Sequence, residues 1–298
     1  MKQSLARAAA LLAAALAILI LLVGCGTAPA APRQPAQRGV PIGVYEPTEA
    51  NSWSAVARFG QLAGQPVSYV LAYLGPSAPF PAQLGAEAAQ HHAELVLQMQ
   101  PSMTMQRVAA GGDDAYLSRL AAQVRDYRHP VILSWAAEAN GNWYQWGFEN
   151  TPASDYRAAW AHVMRVFRSD HDVTWMDTLN RTYAGAGPTS EYIVPGVAMY
   201  GIDAYYEYPG DTFASVIGPT LSQIRAVTGK PVLVNETAIG PVDNQAGDIP
   251  GLVRGVRDNH LAGFIWFDVN QGTDVYHEDW ALTPAGAAAL RASLAAAR

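Results

Sequence analysis

Eight short apolar runs, separated by stretches of helical periodicity, limit what this 298-residue chain can fold into. They are Val40–Tyr45, Val67–Leu74, Glu94–Met99, Val131–Ala136, Val173–Asp177, Val197–Asp203, Val232–Asn235 and Gly263–Phe267. Val131–Leu133 and Val232–Val234 carry no charge on either face, the pattern of strands buried on both sides of a parallel sheet. Between the runs lie apolar stripes at helical spacing. Trp53, Val56, Phe59 and Leu62 follow a start at Asn51 or Ser52. Leu117, Leu120, Val124 and Tyr127 follow a cap at Asp113 or Asp114. Tyr156, Trp160, Val163 and Phe167 follow Thr151-Pro152, and Leu290 and Leu294 follow Thr283-Pro284. Strands alternating with helices over roughly 250 residues predict an α/β fold, a (β/α)8 TIM barrel in one domain over residues 39–298. A doubly wound sheet shares the alternation, but Tyr45-Glu-Pro-Thr-Glu after the first strand lacks the glycines of a phosphate-binding turn. Arg181–Pro195 has no apolar stripe and reads as a long loop, which in a compact domain is often functional.

The ends carry a different message. Lys2 and Arg7 precede a continuous apolar stretch, Ala8 to Val23, and Leu22-Val23-Gly24-Cys25 resembles a bacterial lipobox. Residues 1–24 are therefore expected to be a signal peptide, with an uncleaved membrane anchor as the alternative. Cys25 is the single cysteine, so no intramolecular disulfide can form. The resemblance implies diacylation of Cys25 and anchoring to the outer side of the cytoplasmic membrane, in the cell envelope. Residues 25–38, rich in Ala, Pro and Gln without periodicity, would be the tether. A formal charge of −6 without Lys/Arg clusters argues against nucleic acid as a partner and against electrostatic docking on anionic lipid. A monomer is expected.

Two of the runs end on a carboxylate. Glu138 follows Val131-Ile-Leu-Ser-Trp-Ala-Ala, and Glu236 closes Lys230-Pro-Val-Leu-Val-Asn. A charge at the end of a buried strand must be hydrogen-bonded or used. In one barrel the two would face the same mouth. That is the arrangement of retaining glycoside hydrolysis, where an acid and a nucleophile sit about 5–5.5 Å apart. The plainer alternative is two loop-start carboxylates paired with arginine. Trp135, Trp143, Tyr144 and Trp146 crowd around Glu138, and Trp266 and Trp280 follow late in the chain. Aromatic faces suit the C–H faces of sugars, although core packing is the commoner fate of a tryptophan and is the reading for Trp53 and Trp160.

Glu138-Ala-Asn-Gly-Asn-Trp-Tyr-Gln-Trp-Gly147 resembles the acid/base segment of glycoside hydrolase family 26, the β-mannanase-like family, whose usual pattern is His-Glu-Met-Asn-Gly-x-Trp-Tyr-Pro-Trp-Gly. Gly43-Val-Tyr45, Asn150-Thr-Pro-Ala-Ser-Asp-Tyr-Arg-Ala-Ala-Trp160, Tyr200-Gly-Ile-Asp-Ala-Tyr205, Lys230-Pro-Val-Leu-Val-Asn-Glu-Thr237 and Phe264-Ile-Trp-Phe267 with Asp279-Trp280 fit further family segments in order. The resemblance implies Glu138 as acid/base and Glu236 as nucleophile. It implies Tyr205 as the nucleophile's hydrogen-bond partner, and Trp143, Trp266 and Trp280 as subsite walls. Trp146 and Asn140, from the same segment as Glu138, join the expected substrate-binding residues. No cofactor and no metal are implied, and none of the seven histidines has ligand spacing. His91-His92 reads as structural or solvated. The family acts chiefly on β-1,4-mannans, with some members on mixed-linkage β-glucan or β-1,3-xylan.

Departures bear on the substrate. Ala137 stands where the family has a histidine, Gln145 replaces proline, Ala204 and Ala238 replace glycines, and Ala281 replaces an arginine. Asp177-Thr-Leu-Asn180 replaces the usual Trp-Ser-Pro-Asn. Together the residues predict a lipid-anchored, extracytoplasmic retaining endo-β-glycanase acting on a polysaccharide. A carbohydrate-binding lipoprotein with weakened turnover, and a hydrolase of the organism's own envelope polysaccharide, are the rivals.

Overall fold

All eight apolar runs form strands, and the strands close on themselves. The computed structural model describes residues 39–47, 53–240, 244–270 and 279–298. The expected leader, Cys25, the tether and the helix start at Asn51 or Ser52 lie outside them. Strands β1 (Ile42–Tyr45), β2 (Tyr69–Leu74), β3 (Glu94–Met99), β4 (Val131–Trp135), β5 (Val173–Asn180), β6 (Met199–Asp203), β7 (Val232–Thr237) and β8 (Phe264–Phe267) form a closed barrel in chain order. Every pairing is parallel, including β1 with β8. This is the (β/α)8 architecture that alternating strands and helices predict.

Side-chain alternation divides the apolar residues into two layers. Tyr69, Leu71, Val96, Ile132, Met176, Met199, Leu233 and Ile265 fill the barrel interior. The opposite parity, including Val44, Val70, Leu97, Leu133, Ile202, Val234 and Trp266, packs outward against the helices. The helices are α1 (Ser54–Ala63), α2 (Ala82–Gln90), α3 (Met105–Ala109), α4 (Asp114–Tyr127), α5 (Ala153–Val166), α6 (Thr189–Tyr192), α7 (Phe213–Val216), α8 (Gly218–Val227), α9 (Gln245–Asp258) and α10 (Pro284–Ala296). Leu117, Leu120 and Val124 of α4, and Tyr156, Trp160 and Val163 of α5, are the buried stripes.

Two helix starts differ from expectation. The Thr151 hydroxyl donates to the Gln145 carbonyl instead of capping α5, and Asp113 makes no side-chain cap on α4. Thr283 does cap α10, its hydroxyl accepting from Gly286 N at 3.0 Å. The segment Arg181–Pro195 contains α6, a single turn. His91 ends α2 with its ring stacked on Trp53, centroids 4.7 Å apart.

Strands β5 and β7 run beyond their apolar stretches, β5 to Asn180 and β7 to Thr237. At that end of the barrel the inward positions turn polar, and hydrogen bonds between strands replace apolar packing. The Ser134 and Thr178 hydroxyls, for example, lie 2.8 Å apart. Near the other end, backbone and side chains approach so closely that a Cβ on Gly43 would stand 2.7 Å from Tyr69 Cβ and 2.9 Å from Ile265 Cγ1. Gly43→Ala is therefore expected to cost about 1–3 kcal/mol by overpacking. Gly75→Ala, with nothing within 4 Å of the added methyl, should change stability by no more than about 0.5 kcal/mol. Thermal denaturation of both variants checks this; equal melting temperatures would refute it.

Candidate active site

Strand β7 carries one residue more than either neighbour. Ile202 pairs with Val234 and Asp203 with Glu236, while Val234 pairs with Phe264 and Thr237 with Trp266. The extra residue is a β-bulge, which re-aims side chains. In a regular strand Asn235 and Glu236 would point to opposite faces. Here both point into the barrel and meet the same partner. Asn235 Nδ2 donates to Gln98 Oε1 at 2.8 Å and to Asp203 Oδ1 at 3.0 Å. Gln98 Nε2 donates to Glu236 Oε1 at 2.8 Å. With its carbonyl held by Asn235, the Gln98 amide has its NH2 group fixed toward the carboxylate. Tyr73 donates to Glu236 Oε1 at 2.5 Å and Tyr205 to Oε2 at 2.7 Å.

Glu138 is aimed by its backbone. Ala136 and Glu138 both have left-handed φ, 49° and 60°. For residues with a Cβ this conformation costs of order 1–3 kcal/mol each and persists where surrounding structure fixes it. Ala136 N donates to Met99 O at 2.9 Å and Glu138 N to Thr178 O at 2.8 Å, so the stretch past β4 is pinned to β3 and β5. Asn180 Nδ2, at the end of β5, donates to Glu138 Oε1 at 2.5 Å, and Trp143 Nε1 donates to Oε2 at 3.1 Å. Trp143 is 45 % exposed, and its indole stacks on Tyr183 from the β5–β6 connection at 6.2 Å.

The two carboxyls occupy different environments. Burial and the charge of Glu236 push Glu138 up to about 7, and the Asn180 and Trp143 bonds only partly offset this. Burial also raises Glu236, but donors from Tyr73, Tyr205 and Gln98 act against it by stabilising the ionised form. Burial and Glu236 hold the Tyr73 and Tyr205 phenols well above their ordinary range, so both keep protons to donate. Asp203, fully buried beside both carboxyls, is pushed well above the carboxylate range. A carboxyl raised to about 7 and a carboxylate whose ionised form is favoured by three side-chain donors form a pair suited to proton transfer and nucleophilic attack.

The structure places the other expected site residues unevenly. Trp143 is exposed beside Glu138, and Trp280 packs on Tyr205, ring centroids 4.8 Å apart. Trp266 is a correction. It is fully buried between barrel and helices, because Ile265 and Phe267 take the inward parity of β8, and its Nε1 donates to the Trp280 carbonyl at 3.0 Å. It braces Trp280 and lines no surface. Asn140 is a second correction. It too is fully buried, and it spends its amide on Asn180, accepting from N at 2.8 Å and donating to O at 2.9 Å. It orients Asn180 and is closed to a ligand. Trp146 is largely buried, stacked on Tyr144 with its Nε1 on the Ala137 carbonyl at 2.7 Å.

Tyr73, Gln98, Asn180 and Asn235 escape the sequence reading. The available signal was parity: Gln98 is the polar inward position that follows Val96 in Glu94-Leu-Val-Leu-Gln-Met99. Ala137 offers no side-chain donor, and the donors to Glu236 come from β2, β3 and the residue two past β6. Among the described residues, no group of three His, Cys, Asp or Glu could hold a metal ion.

The closed parallel barrel thus carries one carboxyl just past β4 and one on β7. No protein-family profile matches the chain. Over 258 residues, 79% of its length, it is 25% identical to endoglucanase H of Acetivibrio thermocellus, and it spans 28% of that protein. The structure superposes on an endo-β-1,4-mannanase double mutant from Cellulomonas fimi with a TM-score of 0.65, 14% identity, and coverage of 86% of this chain and 71% of that one. A family 26 β-mannanase from Bacteroides ovatus gives 0.62 at 14% identity, covering 86% and 88%. The barrel thus has the fold of family 26 glycoside hydrolases.

The electrostatic coupling has a direct check. Glu236→Gln removes the neighbouring charge, so Glu138 should titrate below its wild-type value of about 7 while staying above 4.5 because burial remains. Carbon-13 carboxyl NMR titration of both proteins measures it; an unchanged Glu138 titration would exclude Glu236 as a cause.

Proposed function

We propose that this protein is a retaining endo-β-glycanase of the family 26 kind, acting on β-mannan or a related β-glycan. The reading is carried by one observation: Glu236 on β7 accepts from three side-chain donors, Tyr73, Gln98 and Tyr205, while Glu138 past β4, raised to about 7 in part by the charge of Glu236, accepts from Asn180 and Trp143. Glu236 attacks the anomeric carbon while Glu138 gives its proton to the departing glycosidic oxygen, forming a glycosyl ester on Glu236. Glu138, now ionised, takes a proton from water. The water oxygen displaces Glu236 and restores the original anomeric configuration. Tyr73, Tyr205 and Gln98 hold the nucleophile in line, and Trp143 and Trp280 flank the sugar. The comparisons support a β-glycan substrate, since the named relatives are an endoglucanase and β-mannanases. Lipidation at Cys25, an extracytoplasmic position and a monomeric state complete the proposal, on the strength of the leader sequence.

Ala137 favours a second reading, a carbohydrate-binding lipoprotein with weakened turnover, because that position contributes no donor. The test that separates them is hydrolysis of β-mannan, mixed-linkage β-glucan, β-xylan and cell-envelope glycans. The wild type should release products with retained configuration, followed by proton NMR. Glu138→Ala should lower kcat by about 10²–10⁴-fold and Glu236→Ala by at least as much. kcat/KM should fall as pH rises through about 7, where Glu138 loses the proton it must donate. Binding without turnover across the panel would favour the second reading, and preference for envelope glycans over mannan would redirect the substrate. Separately, Cys25→Ala should move the protein from the membrane fraction to the soluble fraction of the expressing bacterium; unchanged fractionation would refute the anchor.

A further inference from the structure

A third carboxyl stands beside the catalytic pair, and the double displacement does not use it. Asp203 ends β6, is 0 % exposed, and pairs in register with Glu236 of β7. It has no exposed surface to offer a substrate. What it does there follows from counting hydrogens. Asp203 Oδ1 accepts from Asn235 Nδ2 at 3.0 Å, and the same Nδ2 serves Gln98 Oε1 at 2.8 Å. Asp203 Oδ2 receives no donor among the described residues, and neither does Asn235 Oδ1. Buried acceptors left without a donor are costly, and this cluster is short of a hydrogen. Glu236 lies within hydrogen-bonding reach of the Asp203 carboxyl. Two carboxyls that close do not both ionise, so one proton belongs to the pair.

The donors decide which partner holds it. Glu236 accepts from two phenols, Tyr73 and Tyr205, and from Gln98. Asp203 has only the amides of Asn235 and Gln98 to favour its ionised form, and both amides are shared with other acceptors. The charges around it also disfavour a second anion. Glu236 faces it from β7 and Glu138 from beyond β4, while Tyr73 and Tyr205 nearby keep their protons. Arg181, which follows β5, places its guanidinium on Glu207 and on the Tyr205 carbonyl. Burial and the Glu236 charge accordingly push the Asp203 carboxyl well above its ordinary range.

We infer that Asp203 is a positioning residue kept as a neutral carboxylic acid, which donates a hydrogen bond to Glu236 and fixes the nucleophile without adding a charge beside it. Its part in turnover rests on the glycanase reading above; its protonation does not.

The test compares Asp203→Asn, which keeps the shape and an N–H donor but carries no charge, with Asp203→Leu, which keeps only bulk. Carbon-13 carboxyl NMR needs no turnover. The wild-type Asp203 resonance, assigned by its loss in Asp203→Asn, should stay at the protonated position at neutral pH. In Asp203→Asn, Glu138 should still titrate at about 7. In Asp203→Leu, Glu236 should titrate higher than in the wild type, because its ionised form has lost a donor. In hydrolysis, Asp203→Leu should lower kcat by about 10–100-fold and move the acid limb of kcat/KM to higher pH, with kcat of Asp203→Asn about tenfold or more above it. An ionised Asp203 resonance at neutral pH, or a lowered Glu138 titration in Asp203→Asn, would overturn the neutral acid, and both readings stand even if Asp203→Leu does not fold. Equal kcat in the two variants, with wild-type pH profiles, would reduce Asp203 to packing and overturn the positioning role. If the wild type hydrolyses no glycan, the glycanase reading fails, and the NMR titrations still decide the state of Asp203.

Discussion

A carboxylate buried at the end of a strand exists as an ion only if the protein surrounds it with donors, and the arrangement around Glu236 depends on how Gln98 meets that demand. Gln98 reaches from β3 across the barrel to β7, accepts from Asn235 and donates to Glu236. It can touch two successive residues because a bulge turns both inward. The bulge, the glutamine and the two tyrosines are thus one device. In a regular strand of the same length the carboxylate would face the helices, and without the donors burial would neutralise it.

The acid on the opposite side is built from the backbone outward. Left-handed Ala136 and Glu138 turn the chain sharply just past β4, and hydrogen bonds to the flanking strands hold the turn. Asn140 then fixes Asn180, and Asn180 fixes one oxygen of Glu138. Chemistry at the mouth therefore rests in part on Asn140, which is fully buried. Strain concentrated there and support buried beneath it are what a preorganised site requires.

How much of this could be read beforehand follows from what each signal encodes. The eight strands were legible because burial on both faces forces mainly apolar runs, and both glutamates stood out because each ends a run with no other charge. Trp266 was misplaced because composition says nothing about parity: one position along β8 separates the mouth from the helix layer. Asn140 was misassigned because an amide near a catalytic carboxyl reads alike whether it faces ligand or backbone. Tyr73 and Gln98 went unnoticed because tertiary closure alone brings β2 and β3 to Glu236, 163 and 138 residues away.

The same bulge has a consequence for how this protein can change over evolutionary time. Along β7, chain length carries the message that residue identity carries elsewhere. A deletion of Asn235 would remove the bulge and leave Val234, Glu236 and Thr237 on their present faces, yet it would take away the amide that fixes Gln98 toward the carboxylate. Substitutions elsewhere leave that count unchanged, whereas one residue fewer on this strand changes which donors reach the carboxylate.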